Sequence, residues 1–146
     1  MEQAEGTTEI AASPAEIMEI LADFEAYPEW TDVKRTEVVK TDKQGRATEV
    51  AYEVSQFGIT AKYTLAYKYK AKNGGMTWTT KSVEEGPIRK IEGEYVLDEV
   101  DDDETEVTYR MSLELGTRLP GFIMKRGEKM VIRNALDGLK KRVEEG

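Results

Sequence analysis

From Val33 to Leu115 apolar and polar side chains alternate with a period of two, and no other feature restricts the fold as strongly. Tyr52 and Val54 alternate with Glu49, Glu53 and Ser55. Ile59, Ala61, Tyr63, Leu65 and Tyr67 alternate with Thr60, Lys62, Thr64 and Lys68. Ile91, Gly93, Tyr95 and Leu97 do so with Lys90, Glu92 and Glu94, and Val107, Tyr109, Met111, Leu113 and Leu115 with Glu106, Thr108, Arg110 and Glu114. Turn signals divide the stretch at Asp42-Lys43-Gln44-Gly45, Phe57-Gly58, Asn73-Gly74-Gly75, Glu85-Gly86-Pro87 and Asp101-Asp102-Asp103. Six evenly spaced strands follow, an antiparallel meander. Strict alternation means one wet face and one face that something must cover.

The flanks supply the cover. Thr7 to Ala11 reads as a short opening strand. Ser13-Pro14-Ala15-Glu16 is a capping box with Pro at the first helical position, and Ile17, Ile20, Leu21 and Phe24 follow at helical spacing, which predicts a helix over 14–24. Tyr27-Pro28-Glu29-Trp30 reads as a second short helical turn. From Pro120 to about Glu145 only scattered Gly interrupts a helical pattern in which Ile132, Leu136, Leu139 and Val143 share one face. At 1.5 Å per residue such a helix is about 35–39 Å long, enough to cross a curved sheet. The expectation is an α+β fold in which a seven-stranded antiparallel sheet wraps around a long C-terminal helix, with two short helices after the first strand.

Composition then removes classes of chemistry. The 146 residues suit one domain, 1–146, with no repeat or linker. There is no Cys, hence no disulfide, thiol nucleophile or thiolate metal site, and no His, hence no imidazole base and no typical zinc site. A net charge of −8 argues against general nucleic-acid binding. With no long apolar run and no basic or apolar N-terminus, the reading is a cytoplasmic protein without a membrane span or signal peptide. Asp101-Asp102-Asp103-Glu104 lacks the spacing and Gly of a calcium loop, and Gly74-Gly75 is a turn, so neither metal nor cofactor is expected.

The inner-face positions carry the functional reading. Tyr52, Tyr63, Tyr67, Tyr95 and Tyr109 all fall on inner parity, and five buried phenols on one face need partners: each other, water, or polar atoms of a ligand. Met76, Trp78 and Thr80, with Met111 nearby, form an adaptable apolar wall that suits either a pocket or an ordinary core. Small residues at Ala61, Thr80, Ser82 and Gly93 leave room between them. Arg89 shares their parity and either grips an anionic ligand group or reaches water. Trp30 either caps the first helix or edges the pocket mouth. In the terminal helix Phe122, Ile123, Met124, Met130 and Val131 point in several directions, so no single sheet contact buries them all; the readings are a gate or an irregular start. Residues 120–146 carry seven basic and four acidic side chains, net +3, leaving −11 for the rest. Such a helix beside Phe122 and Ile123 suits transient contact with an anionic membrane, although the same charges also pair with an acidic sheet.

The element order, with Phe24-Glu25-Ala26-Tyr27-Pro28-Glu29-Trp30 after the capped helix, resembles the START-like polyketide cyclase/dehydrase and lipid-transport superfamily, whose fold is called helix-grip. Leu119-Pro120-Gly121-Phe122-Ile123 and Leu136-Asp137-Gly138-Leu139-Lys140-Lys141-Arg142-Val143 resemble the start and finish of its closing helix. The resemblance implies a ligand-binding domain with an elongated apolar cavity between sheet and helix. The function expected from it is binding or carriage of a lipid, isoprenoid or polyketide-like molecule. The alternatives are a cyclase or aromatase, in which Tyr or Arg polarises carbonyls, and a protein-interaction module with a filled core. The candidate ligand-binding residues are Trp30, Tyr52, Tyr63, Tyr67, Trp78, Arg89, Tyr95, Tyr109, Met111, Phe122, Ile123 and Met130. No residue is assigned a catalytic role, and the oligomeric state is left open.

Overall fold

A computed structural model describes residues 3–56, 59–116 and 120–146. Strand β1 (Gln3–Ile10) leads into α1 (Pro14–Leu21), a 3₁₀ turn (Phe24–Ala26) and α2 (Tyr27–Trp30). Six strands follow: β2 (Val33–Thr41), β3 (Ala47–Gln56), β4 (Ile59–Tyr69), β5 (Gly75–Glu85), β6 (Ile88–Asp101) and β7 (Glu104–Leu115). The chain closes with α3 (Gly121–Glu145). All pairings are antiparallel and the sheet order is β1-β7-β6-β5-β4-β3-β2. The first strand therefore seats beside the last, and residues 11–32 carry the chain from one sheet edge to the other.

Local chemistry fixes that crossing. Glu16 N donates to Ser13 Oγ at 3.3 Å and Ser13 N to Glu16 Oε1 at 3.5 Å, so the capping box starts α1. The helix stops at Leu21, three residues before the periodicity does, because Asp23 leaves the helical region (φ −89°, ψ 75°). Tyr27 Oη then donates to the Leu21 carbonyl at 2.5 Å, satisfying a terminal acceptor that the helix itself cannot. Ile17, Leu21 and Phe24 are fully enclosed.

Helix α3 lies along β1 and runs in the same direction. Glu128, Ile132, Leu136 and Leu139 form its buried row. Gly6 makes the close approach possible: a Cβ there would stand 2.6 Å from Ile132 Cγ2. Further along, Lys140 Nζ donates to Glu9 O at 2.5 Å and Ala11 N to Glu144 Oε2 at 2.9 Å. Strand β1 is longer at its start than Thr7–Ala11. Gln3 to Gly6 lack an apolar alternation, but they pair with Ser112 to Tyr109 of β7. Here the partner strand, not propensity, decides.

Two bulges shift the period-two reading. A register shift between Thr64/Leu65 and their β5 partners pairs Ser82 with Thr64, which turns Ser82 outward, where its Oγ donates to Glu84 Oε1 at 2.7 Å. Ser82 is thus not among the small residues of the inner face. Arg89 sits in a second bulge, between Ile88 and Lys90, and is exposed. Both follow from the extra residue that a bulge inserts. Strands β5 and β6 hydrogen-bond only from Gly75↔Val96 to Trp78↔Gly93. Beyond that, Thr80 Oγ1 replaces the ladder, accepting from Ile91 N at 2.6 Å and donating to Ile91 O at 2.8 Å. The proposed turn at Phe57-Gly58 lies outside the described residues, as does Leu119.

Candidate functional site

The antiparallel registers bring residues from five strands into two rows. Tyr67, Trp78, Gly93, Met111 and Ala4 are successive partners in one; Tyr69, Met76, Tyr95, Tyr109 and Gly6 are in the other. Gly93 has no side chain, so the Trp78 indole lies across it, with Cζ2 2.6 Å from where a Cβ would be. From that position Trp78 meets Tyr67 (centroids 6.0 Å), Tyr95 (5.5 Å) and Tyr109 (5.6 Å), and Tyr95 meets Tyr109 edge-on at 4.9 Å. Tyr67 continues to Phe24 at 4.6 Å, Phe24 to Tyr27 at 5.0 Å, and Tyr27 to Trp30 at 5.1 Å. Tyr52 stacks on Tyr63 at 5.5 Å and approaches Tyr27 at 6.4 Å. Nine rings thus make one connected aromatic lining, each edge-to-face or offset pair adding about 0.5–1.5 kcal/mol beyond burial.

The phenols divide into two groups. Tyr27 bonds the Leu21 carbonyl, Tyr69 donates to the Ala47 carbonyl at 2.6 Å, and the Tyr52 and Tyr67 hydroxyls bond each other. Tyr63, Tyr95 and Tyr109 make no hydrogen bond among the described residues. Trp30 Nε1 is the only enclosed side-chain nitrogen or oxygen among those residues that lacks a partner, so these three hydroxyls open onto accessible space. Burial pushes the Tyr63 phenol up to about 12, and pushes Tyr52, Tyr67, Tyr95 and Tyr109 up as well. Neighbouring phenols add to the shift: ionising Tyr109 opposes Tyr95, and ionising Tyr63 opposes Tyr109. At neutral pH every one is a protonated hydroxyl, able to donate and accept hydrogen bonds.

Of the twelve candidate residues, Tyr52, Tyr63, Tyr67, Trp78, Tyr95 and Tyr109 come together in the lining, with Met111 buried beside Gly93 in the same row. Trp30 joins through Tyr27 and lies against Gly138 of α3, whose Cβ position is 3.6 Å from the indole Cε3. A separate groove of about 230 Å³ runs past Trp30 between Glu19, Ile20, Asp23, Ala26 and Arg142. Arg89, in its bulge, is exposed beside Gly116 and does not join the rings. Phe122 (71 % exposed), Ile123 and Met130 face outward from α3.

Sequence reasoning missed two participants and one buried acid on α3. Phe24 and Tyr27 bridge the helical crossing to the sheet; their motif was visible, but not that the crossing folds inward. Glu128 is buried on the row that continues Ile132 and Leu136, and the i, i+4 spacing to Ile132 was the available signal.

Comparison with known proteins accords with this architecture. A START superfamily protein from Mycobacterium smegmatis superposes with a TM-score of 0.89 at 24% identity, covering 98% of this chain and 97% of that one. The Zhui aromatase/cyclase from Streptomyces sp. R1128 gives 0.79 at 17%, covering 98% and 93%. A STAR-related lipid transfer protein fragment from Xanthomonas axonopodis gives 0.70 at 19%, covering 97% and 85%. At these identities the likeness concerns the fold. No curated protein sequence matches the chain. The family described as "Polyketide cyclase / dehydrase and lipid transport" matches residues 1–144, nearly the whole length. With the seven-stranded sheet, the short helices after β1 and the long closing helix all in place, the chain belongs to that family.

Proposed function

We propose that the protein binds a hydrophobic small molecule between the aromatic face of the sheet and α3, holding or carrying it rather than transforming it. One observation carries the reading: the hydroxyls of Tyr63, Tyr95 and Tyr109 have no partner among the described residues within a largely aromatic lining. A phenol withdrawn from bulk water without a partner costs about 1–3 kcal/mol, and polar atoms of a ligand, or water it displaces, meet that need. The rings of Trp78, Tyr67 and Tyr95 supply the apolar wall at about 25 cal/mol per Å², and the hydroxyls fix orientation. The family's descriptions of lipid transport and polyketide cyclisation both concern such molecules. Carriage is favoured because these phenols are held protonated well above neutral pH and the chain has no His. They donate hydrogen bonds but do not act as bases at pH 7.

The test separates binding from folding. In Tyr95→Phe/Tyr109→Phe the hydroxyls removed have no partner among the described residues, so stability to urea should stay constant or rise slightly. Affinity for a displaceable apolar dye, or for lipid recovered by native mass spectrometry, should fall roughly tenfold, the loss of about one to two hydrogen bonds. Loss of stability with unchanged ligand affinity would refute the reading. Turnover of a poly-ketone mimic, abolished in the same variant, would replace it with the cyclase alternative.

A further inference from the structure

We propose that the first three and a half turns of α3 are an interfacial docking surface for an anionic lipid bilayer. This is independent of what the interior holds. Among the described residues seven large apolar side chains are strongly exposed, and four of them, Phe122, Ile123, Met130 and Val131, lie within the first eleven residues of α3. That segment is weakly covered: from Phe122 to Gly127 none of its residues is buried, and Glu128 is the first that is. Ile123 and Met130, seven apart, share one direction, opposite the row of Ile132 and Leu139 that packs inward. Phe122, Arg126, Lys129 and Arg133, at i, i+4, i+7 and i+11, share an adjacent face, flanked by Lys125.

Charge selects the partner. Lys125, Arg126, Lys129 and Arg133 are all exposed, and none is in an ion pair with a described residue. In the second half of the helix Lys140 pairs with Glu144 and Arg142 with Glu29. The four cations beside the apolar residues are thus all available, as is Lys141 near the helix end. The rest of the molecule is acidic, and its acidic hairpin, Asp101 to Glu104, lies at the far end: β1 runs alongside α3, and its last residue, Ile10, pairs with Thr105. An anionic surface attracts the start of α3 and repels that hairpin, so electrostatics alone orients the protein helix-start downward. An apolar stripe bordered by basic side chains is the pattern that settles at the headgroup–acyl boundary. No helix among the described residues is long and apolar enough to cross a membrane, so the contact is superficial. An acidic protein would be met by the cations but would leave the exposed apolar side chains of Phe122, Ile123, Met130 and Val131 unsatisfied, which favours the bilayer.

Flotation with vesicles tests this. Wild-type protein should float with phosphatidylcholine vesicles containing about 30 mol% phosphatidylglycerol, remain behind with pure phosphatidylcholine, and detach at about 500 mM salt. Lys129→Glu/Arg133→Glu should lower partitioning at least roughly tenfold. Phe122→Ser/Ile123→Ser should lower it similarly while leaving the thermal melt in place, since both residues are exposed. Absence of binding to the anionic vesicles, or equal binding to both compositions, overturns the proposal. So does binding that both variants retain. Self-association of the wild type, abolished by these substitutions without vesicle binding, would assign the face to a second copy instead.

Discussion

Raising the pH beyond 10 is expected to unfold this protein within one to two pH units, with tyrosinate absorbance and loss of circular dichroism rising together. Burial raises the ionisation of Tyr27, Tyr52, Tyr63, Tyr67, Tyr95 and Tyr109 above the ordinary value of 10.0, to about 12 for Tyr63, and neighbouring phenols reinforce it at the other five. A group whose folded pKa is raised contributes stability that is complete below the unfolded pKa. It is lost as pH climbs from there through the folded value. From pH 10 upward the unfolded chain therefore releases protons that the folded chain retains. Each tyrosine tilts the balance by about 1.4 kcal/mol per pH unit, and six together by about 8. Against a typical stability of about 5–15 kcal/mol the fold fails early in that window. Tyrosines that titrate gradually near 10 while the sheet persists would contradict the enclosed lining. An apolar ligand that dries the space beside Tyr95 and Tyr109 should move the transition to higher pH, because it binds only the folded state.

The same lining shows how far sequence reading reaches. Alternation placed Tyr52, Tyr63, Tyr67, Tyr95 and Tyr109 on one face because a strand with one covered side leaves a strict parity record. It failed at Ser82, where a bulge inserts a residue and reverses the parity, since a bulge leaves no mark in polarity when the surrounding residues are Lys, Ser and Glu; at Arg89 a second bulge decides between the two readings in favour of water. Helix α1 was legible from its capping box and α3 from its apolar spacing. The α1 end was not, because it is set where Asp23 leaves the helical region and by Tyr27 Oη, six residues on, bonding the Leu21 carbonyl. Which phenols pair was likewise invisible. The register of β3 on β4 sets Tyr52 opposite Tyr63, yet its hydroxyl bonds that of Tyr67 four residues along, and Tyr95 and Tyr109 sit directly opposite each other yet share only a ring edge. The irregular apolar pattern at the start of α3 was readable, and the structure gives it a direction: outward.

Gly93→Ala is the smallest substitution expected to disable both the core and the lining. The added methyl would stand 2.5 Å from the Arg110 carbonyl oxygen and 2.6 Å and 2.8 Å from Trp78 Cζ2 and Cε2. Neither neighbour yields easily. The carbonyl belongs to β7, paired with β6 along nearly its whole length, and the indole is hemmed in by Tyr67, Tyr95 and Tyr109. Trp78↔Gly93 is also the last hydrogen-bonded register pair between β5 and β6, so a displaced indole strains the point where that ladder ends. Overpacking of this kind costs about 1–3 kcal/mol, and with two rigid neighbours the upper end applies. For a chain of this length that lowers the melting temperature by roughly 10 °C. Trp78→Phe in the Gly93→Ala background should recover about 1 kcal/mol or more relative to the sum of the single changes, since the smaller ring relieves one of the two clashes. Tryptophan fluorescence discriminates further, because Gly93→Ala should shift the Trp78 component alone and leave that of Trp30, on the far side of Phe24 and Tyr27, as it was. A Gly93→Ala protein as stable as the wild type, with unaltered emission and undiminished dye binding, would mean that the indole does not lie across this glycine and that the lining is built otherwise.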